Sequence, residues 1–272
     1  MSLLAWGLPL ALAGAGLSWR HAWWRRGVDE RWPRILMYHR IAEAAPGAPF
    51  RGLCVSPRRF EAQLRWLQAQ GWQGFTVSEL VRRAGHDLPP RALAITFDDG
   101  YADNFTEALP LLQRYGFPAT LYLVVDRHGR DWSRARDARR AGALAAVPRL
   151  GDEQVRAMLD SGWIELGAHT VTHPDLRRLG DAALRHELVH GREQLEQRFG
   201  VPVASFAYPF GRYRPEQVEA VRAAGYTSAV TVREGIDDPA VWKPLELARV
   251  KVSGREGMAA FRLRLRTGRR RA

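Results

Sequence analysis

The chain has 272 residues, of which 46% are hydrophobic, 10% aromatic and 26% charged, a composition that suits one catalytic-sized domain and excludes a disordered or low-complexity chain. Of its formal charge of +12, nine units sit on Arg20, Arg25 and Arg26 and on six arginines between Arg262 and Arg271, with no acid beside them, leaving +3 over residues 27–261. So balanced a centre is not the basic stripe of a nucleic-acid binder, and the single cysteine, Cys54, excludes an internal disulfide or a cysteine zinc site.

Residues 3–19 carry no charge and are followed by Arg20, Trp23, Trp24, Arg25 and Arg26. A run of 17 residues is at the short limit for a membrane-crossing helix, and Trp beside Arg is the pattern of an interfacial belt. We expect an apolar anchoring helix over 1–26, with the arginine flank and the domain behind it facing the cytoplasm. A periplasmic placement, a cleaved signal cut near Ala13–Gly16 and a simple docking helix remain open. The basic segment 255–272, a helix or tail, would add contact with anionic headgroups.

Between residues 27 and 254 seven apolar runs read as buried strands: Ile35–Tyr38, Leu93–Phe97, Thr120–Val125, Trp163–Ala168, Ala204–Tyr208, Thr227–Val232 and Leu247–Val252. Helix-period segments separate most of them, near 57–70, 104–115, 152–161, 180–199 and 214–224. This alternation predicts an α/β fold with a parallel sheet. Polar motifs at several strand ends favour a barrel of about seven units over an open sheet. Residues 126–150 are arginine-rich and aperiodic, as expected of a loop over one face.

Three of those strand ends carry chemistry. Asp98 and Asp99 stand together in Thr96-Phe97-Asp98-Asp99-Gly100-Tyr101, where Gly100 permits a sharp turn and a buried carboxylate pair would need a cation or hydrogen-bond partners. His169 and His173, four apart in His169-Thr170-Val171-Thr172-His173-Pro174, can bind one metal or be ordinary surface histidines. With one Asp they make a facial set that leaves room for water and substrate. Phe206-Ala207-Tyr208-Pro209-Phe210-Gly211 runs into a turn whose backbone N–H groups could bind an oxyanion.

In this order, over residues 34–252, the motifs resemble the polysaccharide deacetylases of carbohydrate esterase family 4, the NodB homology domain. The resemblance implies a distorted (β/α) barrel that holds one divalent metal, usually zinc, with cobalt or nickel as alternatives. It also implies hydrolysis of N-acetyl groups on an amino sugar of a bacterial envelope polysaccharide, peptidoglycan or lipid-linked glycan. Asp99, His169 and His173 would then be metal ligands, Asp98 the general base and the Phe210 N–H the oxyanion donor. Tyr101, Tyr208, Pro209 and Tyr213 are candidate substrate contacts, and Trp132 and Trp242 possible sugar platforms.

The chain departs from the family pattern twice. Ala207 stands where an arginine usually orients the base, and Leu247-Ala248-Arg249 where a late histidine usually supplies the acid. Arg249 is the candidate replacement for the first, or else forms a surface ion pair. His39, in Met37-Tyr38-His39 at the end of the first strand, is the candidate acid, or else a core histidine. Two other readings are a catalytically dead glycan-binding module and a deacylase of another amide or ester.

Overall fold

The computed structural model describes residues 26–84, 86–131 and 142–269. In chain order its elements are β1 (Arg34–Tyr38), β2 (Arg40–Ile41), β3 (Cys54–Val55), α1 (Pro57–Ala69), β4 (Gln73–Phe75), α2 (Val77–Arg83) and β5 (Ala92–Asp98). A π-helical turn, Asn104–Ala108, leads into α3 (Leu109–Tyr115), followed by β6 (Ala119–Leu123), α4 (Asp152–Asp160) and β7 (Ile164–Ala168). Next come α5 (Asp181–Arg185), a second π-helical turn (His186–His190), α6 (Gly191–Phe199) and β8 (Ser205–Ala207). The chain continues through α7 (Pro215–Ala223), β9 (Ser228–Glu234), β10 (Leu247–Lys251) and α8 (Met258–Thr267).

The strands run in the order β1-β10-β9-β8-β7-β6-β5, and β5 returns to β1 through the register Arg34↔Leu93 to Tyr38↔Phe97, so seven parallel strands close on themselves. These are the seven strands the sequence predicts, with ends shifted by one or two residues. The barrel is irregular where β7 and β8 share the single registered pair Ala168↔Phe206 and where β10 shifts against β9. β4, absent from the prediction, adds to the first half of β5, whereas β6 pairs from Ile95 onward.

Side-chain alternation along the strands makes two cores. Leu36, Tyr38, Leu93, Ile95 and Phe97 pack outward under the helices, while Ile35, Ala92, Ala94, Tyr122, Ala207, Val230 and Leu247 fill the barrel. The interior is narrow: a Cβ on Gly167 would lie 2.5 Å from the Tyr122 ring. The same period of two turns His39, Asp98 and Arg249 inward, at or near the carboxyl ends of their strands.

At the opposite end, the Val28 N–H donates to the Arg266 carbonyl (2.8 Å) and Arg34 Nε to the Leu265 carbonyl (3.0 Å), tying α8 to the segment before β1. Arg264 is turned inward among Glu234, Glu256 and the Lys251 carbonyl rather than toward solvent. The expected anchoring helix lies outside the described residues; among those described, no helix is long and apolar enough to cross a membrane.

Candidate active site

β5 ends by delivering Asp98 to the barrel mouth, and left-handed backbone at Asp99 (φ 78°) and Gly100 (φ 71°) turns the chain immediately after it. From β10, Arg249 grips both Asp98 oxygens, Nη1 to Oδ1 at 2.7 Å and Nη2 to Oδ2 at 2.8 Å. Its remaining bonds fix the guanidinium, with Nε donating to the Thr231 carbonyl (2.7 Å) and Nη1 to Thr96 Oγ1 (3.0 Å). Arg249 is 1% exposed and Asp98 3%. Burial alone would raise the Asp98 pKa, but the Arg249 charge and its hydrogen bonds outweigh that and hold it below the ordinary carboxylate range.

Asp99, His169 and His173 converge beside this pair, all buried. His169 Nε2 lies 3.5 Å and His173 Nε2 3.6 Å from Asp99 Oδ1, and the two Nε2 atoms are 3.2 Å apart. His169 Nδ1 faces the Ala207 carbonyl at 2.7 Å; the Nδ1–H tautomer this favours leaves a lone pair on Nε2. Bonds of about 2.1 Å in a tetrahedral site separate ligand atoms by roughly 3.4 Å, so the triangle and its donor types fit a small divalent metal. Burial and the neighbouring His169 push the His173 pKa down to about 3, although Asp99 and Asp98 oppose them, so the imidazole is neutral and able to ligate at neutral pH.

The histidine loop is held from outside the cavity. Glu187, in the second π-helical turn, accepts the Val171 and Thr172 N–H groups on Oε2 (2.8 and 2.9 Å) and the Thr172 hydroxyl on Oε1 (2.6 Å). The His173 N–H donates to Thr170 Oγ1 at 2.9 Å, with Thr170 and His173 both at positive φ. Sequence reading missed Glu187, since a glutamate on a polar helix carries no sign that it points inward.

A cavity of about 270 Å³ joins these groups. His39, Asp98, Asp99, His169 and His173 provide its charged and titratable floor, and Phe50, Leu53, Leu144, Phe210 and Val232 its apolar wall. Phe50, Asp99, His173 and Phe210 line it from left-handed conformations, and such strain concentrates at functional sites. The Phe210 ring packs edge-on against His173 (4.5 Å). Burial lowers the His39 pKa, against the opposing pull of Asp98 and Asp99.

Not every expected contact reaches the cavity. Tyr101 is fully buried with the Arg149 guanidinium 3.9 Å from its ring, because its backbone pairs with Arg149 in an antiparallel bridge. It therefore packs under the rim and offers no face to substrate. Tyr208 lines the cavity, but its hydroxyl is committed to the Leu245 carbonyl (3.0 Å). Pro209 and Tyr213 are not lining residues; Pro209 is buried and Tyr213 stacks on Tyr208 at 4.3 Å. Trp242 packs with the inner barrel core, and Trp132 lies outside the described residues. The apolar wall is the other feature that sequence reading missed, since its members come from parts of the chain far apart in sequence, Val232 from β9 and the others from connecting segments.

A closed parallel β/α barrel with a paired carboxylate and a two-histidine, one-aspartate cluster at its mouth defines a hydrolase-like site. Residues 85–229 match the profile of the polysaccharide deacetylase family, and the chain belongs to that family. YxkH of Bacillus subtilis, named for the same family, is 30% identical over 216 residues, covering 79% of this chain and 69% of YxkH. Poly-β-1,6-N-acetyl-D-glucosamine N-deacetylase of Escherichia coli is 22% identical over 77% of this chain, which spans about a third of that protein (36%). The structure of BC0361, a polysaccharide deacetylase from Bacillus cereus, superposes with a TM-score of 0.70 at 28% identity, covering 86% of this chain and 69% of that one.

Proposed function

We propose that this deacetylase is metal-dependent and removes N-acetyl groups from amino sugars of a bacterial glycan, a poly-N-acetylglucosamine-like polymer being the substrate class its relatives favour. The observation that carries the reading is the Asp98–Arg249 pair set beside the Asp99–His169–His173 triangle in one cavity. Two imidazole nitrogens and a carboxylate oxygen suit zinc, and also cobalt or nickel. When bound there, the metal supplies a Lewis acid that polarises the acetyl carbonyl and acidifies a water.

The chain's own groups do the rest. Asp98 is ionised at neutral pH, and each oxygen keeps a lone pair beyond its bond to Arg249, so it can take a proton from the attacking water. Arg249 fixes the direction of that acceptor. The backbone N–H of Phe210 would stabilise the oxyanion that develops on the acetyl oxygen. His39, facing the cavity just past β1, would pass to the departing nitrogen, which is too basic to leave as an anion, the proton that Asp98 takes from the water, because burial keeps its resting imidazole neutral.

The test is acetate release from N-acetylglucosamine oligomers by protein loaded with zinc or cobalt. Activity is expected in the wild type, with its loss in Asp98→Asn at unchanged metal content and loss of both metal and activity in Asp99→Ala. No acetate from fully loaded protein would refute the substrate class; retained metal in Asp99→Ala would refute the ligand assignment.

A further inference from the structure

At the barrel end opposite this cavity, a cleft of about 380 Å³ opens between α1, α8 and the segment leading into β1. Arg34, Arg91, Arg262 and Arg266 line it together with Trp66 and Trp72. Its lining acid, Glu30, is engaged by Arg91 at 2.9 Å. Arg34 is 1% exposed and donates to the carbonyls of Val28 (3.0 Å), Asp29 (2.7 Å), Trp32 and Leu265 (3.0 Å). Carbonyl dipoles thus satisfy its hydrogen bonds while Glu30 and Asp29 act on its charge only through space; burial brings its pKa down to about 10.

The outer face of α8 extends this field. Ala259, Arg262, Arg266 and Arg269 are exposed at helical spacing, while Phe261, Arg264 and Leu265 face inward. Arg262 lies over the Trp66 ring at 5.2 Å, and Arg34 over Trp72 at 5.3 Å. Gly27 is part of the cleft, and the sequence just upstream of it reads Arg26, Arg25, Trp24, Trp23 and then, beyond His21 and Arg20, the uncharged run 3–19.

We propose that this end of the barrel docks on an anionic phospholipid surface, headgroup phosphates entering the cleft and lying along the arginines of α8. Guanidinium forks match phosphate oxygens, and a basic helix face beside an apolar, tryptophan-flanked segment favours a charged bilayer. The docking fixes an orientation. β1 and β5 begin at the cleft; β5 ends at Asp98, with His39 just past the end of β1, and the seven residues of β5 rising about 3.3 Å each hold the cavity roughly 20 Å above the lipid. The mouth then faces away from the membrane, toward a glycan projecting from it, whatever reaction occurs there.

The experiment places an environment-sensitive fluorophore on Gln70→Cys, an exposed residue lining the cleft, or, at the mouth, on Arg51→Cys, in the full chain; Cys54 is buried, and labelled wild type supplies the background. Each protein is reconstituted into phosphatidylcholine vesicles with and without phosphatidylglycerol, and quenching by lipid-borne quencher is read. The 70 label should become quenchable on the anionic vesicles, lose that response in high salt, and show at least about tenfold weaker partition in Arg262→Gln/Arg266→Gln. The 51 label should remain in water. Equal quenching on both vesicle types, quenching unchanged in the double variant, or an equal response at position 51 would overturn the proposal.

Discussion

Arg249→Met keeps an unbranched stem but removes the guanidinium that binds Asp98 twice, the Thr231 carbonyl and Thr96 Oγ1. Asp98, 3% exposed, would then be an unpaired buried carboxylate, a change that costs about 3–5 kcal/mol. At about 2–4 °C per kcal/mol for a domain of this size, the melting temperature should fall on the order of 10 °C. Asp98→Asn/Arg249→Met removes both charges and should recover much of the loss, with a coupling energy of about 2 kcal/mol. The share of the pH dependence that Asp98 contributes, read by subtracting the matching Asp98→Asn protein, should also reverse. In the wild type the depressed Asp98 pKa gives stability that is present above the unfolded carboxylate pKa and is lost as pH falls through the folded value. Without Arg249, burial raises the Asp98 pKa instead, and that share should decline as pH rises toward neutrality. Urea unfolding of the wild type, Arg249→Met, Asp98→Asn and the double variant, without added metal and at several pH values, measures both effects. Additivity within about 0.5 kcal/mol, together with an Asp98 share of unreversed sign, would show that the pair is not the electrostatic unit its geometry describes.

Glu187→Ala removes three bonds from the histidine loop and should lower zinc affinity about 10–100-fold, whereas Glu187→Gln, which can keep all three, should stay near the wild type; competition against a chromophoric chelator distinguishes them. Metal-free protein should lose stability as pH falls from about 6.5 toward 3, because unfolded His173 binds a proton that the folded site refuses until about pH 3. That term is on the order of a few kcal/mol, and a flat melting temperature across this window would contradict the neutral-imidazole assignment. His39→Ala should reduce kcat about 10²–10⁴-fold with little change in KM or metal content; acetate release within a few-fold of wild type would place the acid elsewhere.

What the sequence made legible was whatever lies within a few residues of itself. The run Leu93-Ala94-Ile95 followed by two aspartates and a glycine declares a buried strand with polar cargo at its end, and β5 delivers that cargo as expected. β4 escaped because three residues centred on a glycine show no alternation to count. α2 is a different case: its capping box, Thr76 with Glu79, could have been read. Arg249 was inferred from an absence, since Ala207 left Asp98 without its usual cation, and a buried carboxylate requires one from somewhere in the fold. Glu187 had no such demand behind it. The orphan donors it satisfies are backbone N–H groups of a loop whose left-handed bends at Thr170 and His173 are invisible in the letters. A buried side-chain charge advertises its need for a partner, whereas a strained backbone does not. The positions hardest to read in this chain are therefore those that hold the histidine loop, and the metal affinity of the two Glu187 variants measures what that hidden support contributes.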